Sequence, residues 1–232
     1  MNSTFSGTEV DKTVARALLS AGCVKVRTDE PFRLPSGWAS PVYMDCRRLI
    51  SFPAIRREIV SLSLDLLTSR GCLDGIASIA GGEASGIALA AWLSDALDLP
   101  LQYVRKKPIG QTQIEGVIKP GDRILLVDDL MAGGHSKVKF YCALTAAGAT
   151  VKDLFVIFDY GTFPTEDLLA PLGVTAHALA TWQAVLAVAR ETGTFEPLAL
   201  AEIEEFLVDP PGWSQAHGGI AITQSAILTK AR

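Results

Sequence analysis

Two adjacent carboxylates, Asp128 and Asp129, follow an apolar run in ILLVDDLMAGGHSK, residues 124–137. A small turn comes next, Ala132, Gly133 and Gly134, then His135, Ser136 and the pattern of a helix. Backbone N–H groups at a helix N-terminus attract phosphate. Carboxylates facing a phosphate would repel it, but they accept hydrogen bonds from hydroxyls. A sugar phosphate meets both demands, with its diol on the acids and its phosphate in the turn. The same residues also allow a plainer reading, two solvated loop acids beside a turn that the glycines merely close. A receiver domain also begins with such an acid pair. It needs a further acceptor Asp ending a later strand, which Asp153, Asp159 and Asp167 fit poorly.

A second glycine turn, IAGGEASGI at 79–87, also runs from a strand into a helix. It contains Gly81, Gly82 and Glu83 but lacks the G-K-[ST] of a nucleoside-triphosphate loop. Alone it reads as strand–helix punctuation; two such turns on neighbouring strands say more than either one.

Strands and helices must alternate to bring these turns together. Helices are expected over 8–21, 53–70, 86–97, 136–147, near 182–191 and near 199–207. Strands are expected at 42–46, 75–80, 101–105, 123–127, along VKDLFVIFDY and near 174–179. RILLV, residues 123–127, is apolar almost throughout and predicts a central strand. The acid pair then ends that strand, where ligands of open α/β sheets sit. Lys106–Gly116 reads as a mobile loop, and DPPGWSQAHGG as a proline- and glycine-rich tail. The pattern implies α/β architecture, a mostly parallel sheet flanked by helices.

The chain has 232 residues, 49% hydrophobic and 20% charged, with a net charge of −4. That balance suits a folded domain and gives no basic stripe for nucleic acid. Four cysteines, Cys23, Cys46, Cys72 and Cys142, stand apart without C-x-x-C spacing or a histidine cluster and read as free thiols of a reducing cytosol. No stretch approaches the ~18 apolar residues of a membrane span, and MNSTFSGTEVDK lacks the order of a signal peptide. The expectation is a cytoplasmic protein with neither membrane nor nucleic acid as partner.

The motifs together carry a family resemblance. ILLVDDLMAGGHS is similar to the diphosphate-sugar motif of type I phosphoribosyltransferases, and the chain resembles the orotate phosphoribosyltransferases over nearly its whole length. FRLPSGWASPVYMDCRRL, residues 32–49, resembles that family's base-proximal segment, and VRKKPIG, 104–110, the start of its flexible catalytic loop. The resemblance implies one phosphoribosyltransferase domain over 1–232, with a small hood from about 1–50 and part of the C-terminal region. It implies transfer of phosphoribosyl from 5-phosphoribosyl 1-diphosphate to orotate, giving orotidine 5′-phosphate and pyrophosphate in pyrimidine biosynthesis. Mg²⁺ would ride on the diphosphate, with no direct protein ligand. Asp128 and Asp129 would hold the ribose hydroxyls; Ala132, Gly133, Gly134, His135 and Ser136 would hold the 5-phosphate. Gly81, Gly82 and Glu83 would face pyrophosphate, and Tyr43 and Met44 would lie beside the base. Arg105, Lys106 and Lys107 would meet the diphosphate, Lys106 acting with the two acids in catalysis, and the loop would complete the neighbour's site in a homodimer.

Some positions depart from the family pattern. Ile109 stands where the loop's second lysine is expected, and Lys107–Gly116 is short and without histidine. Ala132 replaces a leading threonine, and Pro35 the base-side lysine. His135 reads as either a solvent-facing substitution or an added phosphate contact. These changes also support a second reading, a catalytically impaired paralogue that binds phosphoribosyl diphosphate or a nucleotide in a regulatory role. A third is an active transferase for another base. His177 reads as a satisfied sheet residue, His217 as part of the tail, and Trp182 and Trp213 as packing anchors.

Overall fold

The computed structural model describes residues 9–34, 37–110, 112–163 and 165–221. Pro35 lies outside them. Helix α1 (Glu9–Ser20) leads into four short strands, β1 (Val24–Val26), β2 (Phe32–Arg33), β3 (Ala39–Ser40) and β4 (Val42–Met44), then a 3₁₀ turn, Cys46–Ser51. The middle of the chain alternates: α2 (Pro53–Ser69), β5 (Ser78–Gly82), α3 (Ser85–Leu97), β6 (Leu101–Ile109), β7 (Thr112–Glu115), β8 (Ile124–Met131), α4 (His135–Ala146) and β9 (Asp153–Asp159). It closes with α5 (Glu166–Leu169), β10 (Thr175–Thr181), α6 (Trp182–Thr192), α7 (Pro197–Val208) and α8 (Pro210–Ala216).

Six strands form one sheet in the order β10-β9-β8-β5-β6-β7, with β7 alone antiparallel. β8 is central, as its continuous apolar run predicts. Side chains of a strand alternate between faces. Leu125 and Val127 therefore join the cluster beneath α1, α2, α3 and α6, while Ile124 and Leu126 join Phe140 and Leu144 of α4. Each such buried side chain contributes roughly 1.5–3 kcal/mol relative to exposure.

Several expectations are corrected. Lys106–Gly116 is a hairpin arm rather than an irregular loop: Val104 pairs with Ile114 and Ile109 with Thr112, around Gly110 at φ +63°. Its polar composition hid the pairing, because 106–110 are exposed and only Gln102 and Val104 of β6 are buried. The acid pair does not end its strand. β5 stops pairing with β8 at Val127, but β9 continues to Met131↔Asp159 and holds the acids in extended backbone. DPPGWSQAHGG is largely helix α8, with Asp209 accepting from the Gly212 N–H and Pro210 at the first helical position. That is the ordinary start of a helix. Gly81 and Gly82 belong to β5 rather than to a turn.

The segment around β3 meets the segment after α7. Ala39 N–H donates to Ser214 Oγ at 2.9 Å, and Ile220 N–H to the Gly37 carbonyl at 3.1 Å. Helix α8 thereby packs on β3.

Candidate active site

Adjacent residues of a strand point to opposite faces, so the two acids enter different surroundings. Asp129 opens onto a cleft of about 350 Å³ lined by Tyr43, Met44, Arg47, Ser85, Ala132 and Gly133, with Trp38, Tyr160 and Phe163 among its aromatic walls. Asp128 is 4% exposed and is not among the lining residues. Its Oδ2 accepts from Lys137 Nζ at 2.5 Å. Its Oδ1 accepts from the Asp129 N–H at 2.9 Å and from Ser85 Oγ at 3.3 Å. The expectation of two like carboxylates turned to one ligand meets, in this structure, one acid at the cleft and one enclosed.

Burial pushes the Asp129 carboxyl up to about 6, and the neighbouring Asp128 pushes the same way. The cleft carboxylate thus titrates close to the physiological range rather than far below it.

After β8 the chain turns through Ala132–Gly134 into the 12-residue helix α4. Gly134 takes φ +76°, a left-handed conformation that glycine adopts without steric cost. Backbone N–H groups at such a helix start favour an anion. His135 is half-buried, and its Nδ1–H donates to the Gly133 carbonyl at 2.9 Å. It is therefore tied to the turn, not a solvent-facing substitution. Ser136 stands beside it, half-buried in the first turn of α4.

Gly81 and Gly82 are glycine for a packing reason. A Cβ on Gly81 would lie 2.8 Å from the Gly86 carbonyl oxygen and 2.9 Å from Ala90 Cβ, and one on Gly82 would strike the Phe140 ring. Glu83 reaches the arm instead, its Oε2 accepting from the Lys106 N–H at 2.6 Å. Arg105 pairs with Glu115 at 2.8 Å and lies over the Tyr103 ring. Lys106 and Lys107 are exposed, and none of these three cations lines the cleft.

Sequence reading placed Tyr43 and Met44 at the base site, and both line the cleft. It missed Arg47, the cleft's one cation among the described residues. The guanidinium is held by Asp45 at 2.6 Å and by the Tyr43 hydroxyl at 2.9 Å. The D-C-R spacing behind Tyr43 was the available signal. Tyr160 was also missed: it directly follows β9 at the cleft wall, and its hydroxyl accepts from the Met44 N–H at 3.3 Å.

A second polar cluster lies near the opposite end of the sheet. His177 Nε2 is 3.0 Å from Asp153 Oδ1 and 3.4 Å from Cys72 Sγ, and Arg70 approaches its Nδ1 at 3.1 Å. Arg123 pairs with the same Asp153 at 2.9 Å. Three potential metal ligands meet here, but two guanidiniums already serve them, so His177 is a satisfied sheet residue. His217 stacks on Trp213 at 3.7 Å, and Trp182 packs edge-on to Phe158 and Tyr160.

A parallel sheet whose middle strand delivers an acid pair and then turns through glycines into a helix is the architecture of a type I phosphoribosyltransferase. No family model matches the chain. It is 46% identical over 213 residues to the orotate phosphoribosyltransferase of Dinoroseobacter shibae, covering 90% of this chain and 94% of that one. The crystal structure of orotate phosphoribosyltransferase from Aeropyrum pernix superposes with a TM-score of 0.66 at 30% identity, over 78% of this chain and 99% of that one. Leishmania donovani UMP synthase gives a TM-score of 0.74 at 29% identity, over 85% of this chain and 42% of that longer chain. The chain belongs to the orotate phosphoribosyltransferase family.

Proposed function

We propose that this chain transfers the phosphoribosyl group of 5-phosphoribosyl 1-diphosphate to orotate, releasing pyrophosphate and forming orotidine 5′-phosphate for pyrimidine biosynthesis. One observation carries the reading: β8 delivers Asp129 to the cleft and, three residues later, opens the Ala132–Ser136 turn at the head of α4. Diol and phosphate of one ribosyl group fit that span. Displacement at the anomeric carbon breaks the bond to pyrophosphate and forms the bond to the base nitrogen, through an oxocarbenium-like state. Asp129 holds the diol and faces the developing positive charge, which favours its carboxylate form. Asp128 acts from behind it.

The base lies against Tyr43, Met44 and Tyr160, and Arg47 meets its carboxylate. A guanidinium suits such a planar anion. Glu83 and the arm's Arg105, Lys106 and Lys107 serve the leaving pyrophosphate. Because the arm's cations are not in this chain's own cleft, they fit the expected homodimer, in which each arm completes its neighbour's site. The cleft supplies one carboxylate, too few to cage a magnesium ion, which usually keeps phosphate and water ligands. That donor set fits Mg²⁺ arriving on the diphosphate, where the ion would neutralise phosphate charge.

The contacts between α8 and β3 support one domain with a hood built from both ends of the chain. Among the described residues no helix is long and apolar enough to cross a membrane. The four free thiols support a cytoplasmic setting.

Pyrophosphate release from phosphoribosyl diphosphate and Mg²⁺, measured with and without orotate, tests the reading, with Asp128→Asn/Asp129→Asn as the blank. Orotate-dependent release that the double variant abolishes is expected. Binding of the diphosphate without release would point to the regulatory paralogue, and release with another base but not orotate to a different specificity. Arg47→Ala should raise KM for orotate by roughly 10- to 10²-fold and leave KM for the diphosphate nearly unchanged.

A further inference from the structure

Lys137 stands in the first turn of α4, and its ammonium reaches back to β8. It closes on Asp128 Oδ2 at 2.5 Å, with the two side chains 8% and 5% exposed. The surroundings leave little freedom. A Cβ on Gly82 would lie 3.2 Å from Asp128 Oδ2, and one on Gly86 would lie 2.9 Å from Asp128 Cα. Phe140, buried one turn after Lys137, covers the same pocket. Removing two charges from water is costly, and an apolar pair of like volume is often as stable. Stability alone therefore explains this pair poorly.

Its position explains it better. Asp128 immediately precedes Asp129, and Lys137 immediately follows Ser136, so the ion pair joins the two ends of the acid and phosphate segment. Asp128 Oδ1 also accepts from the Asp129 N–H at 2.9 Å, fixing the backbone from which the cleft carboxylate projects. Lys137 further supplies the cation that offsets two adjacent acids where an anionic diphosphate must arrive.

We propose that Lys137 is a positioning residue for the transfer: through Asp128 it braces the segment that ends in Ser136 and holds the backbone from which Asp129 projects into the cleft. The inference rests on the transferase reading above. The charged and titratable groups around the acid pair are Lys137, Asp159 at the end of β9, Arg47 with its partner Asp45, Tyr43 and Tyr160 of the cleft, and the Cys23 and Cys46 thiols. Burial pushes both thiols up, so they stay neutral.

Kinetics, pH profile and calorimetric binding of the Mg²⁺-diphosphate to Lys137→Met test this. The variant should lower kcat/KM for phosphoribosyl diphosphate by roughly 10- to 10²-fold, weaken calorimetric binding, and move the acidic limb of the pH profile upward. Lys137→Arg should recover part of the affinity. Asp128→Asn/Lys137→Met carries no buried charge there and should fold if the single variant does not. It should still bind the diphosphate weakly, with its acidic limb below that of Lys137→Met or, if that variant does not fold, below that of the unsubstituted protein. Unchanged KM, kcat and limb in Lys137→Met or, where that does not fold, in the double variant would overturn the proposal and leave a purely structural pair. Calorimetry keeps the two readings separate: without orotate transfer by the unsubstituted protein the transferase reading fails, while weaker diphosphate binding by the variants still supports Lys137, and unchanged binding rejects it.

Discussion

The main-chain N–H of Lys106 donates to Glu83 Oε2 at 2.6 Å, tying the hairpin arm to the connection between β5 and α3. Glu83→Ala removes the acceptor and leaves the arm held by its own strand pairing. The loss is expected to be about 1 kcal/mol, local to the arm. Hydrogen exchange should quicken at Lys106 and its neighbours, while β8 and β9 stay protected.

Ile109 is 61% exposed near the tip of the arm, where the family resemblance expects a lysine. A long polar side chain there meets no packing, so Ile109→Lys should change stability by no more than about 0.5 kcal/mol, as surface substitutions usually do. By adding a cation over the leaving pyrophosphate, it should raise kcat, by up to roughly 10²-fold. Steady-state turnover with orotate is the measurement. No gain would mean that Lys106 and Lys107 already supply the charge.

In the proposed transfer Asp129 acts as a carboxylate, and burial beside Asp128 raises its carboxyl to about 6. Activity should therefore climb as pH rises through about 6, and Asp129→Asn should abolish that limb and cost roughly 10²–10³ in kcat/KM. The stability effect has the opposite sense. The folded state keeps this proton above the pH at which the unfolded chain releases it, so burying Asp129 becomes more costly between the ordinary aspartate value of 3.8 and about 6. Relative to Asp129→Asn, the unsubstituted protein should lose up to about 3 kcal/mol across that window. Denaturant melts of both at matched pH check this.

Gly86 opens the first turn of α3 against β8, and a Cβ there would lie 2.5 Å from the Val127 carbonyl oxygen and 3.0 Å from Asp128 Oδ1. Gly86→Ala forces the helix off the strand and should destabilise the protein by about 1–3 kcal/mol. Diphosphate affinity should fall as well, because the displaced backbone carries the acids. Thermal melts and calorimetry separate the two effects.

Much of this arrangement is legible along the chain. Apolar runs such as RILLV mark buried strands, helical spacing marks the helices, and the glycines after Met131 mark a turn into α4, because these signals depend on local period and local backbone freedom. The same locality explains the failures. The arm over 101–115 gains its structure from cross-strand pairing rather than burial. The acids were placed at a strand end because sequence does not say that β9 outlasts β5 beside them.

By itself, then, the sequence determined the α/β alternation, the central strand, the acid pair and the glycine turn, since each is set by residue type over a few positions. Only the tertiary structure decided where each acid sits and what it meets. Strand alternation sends neighbouring side chains to opposite faces, and the packing of α4 brings Lys137 onto Asp128 while the segment ending in Arg47 closes around Asp129. Two identical residues, adjacent in sequence, acquire different chemistry because long-range packing alone sets their burial and their partners.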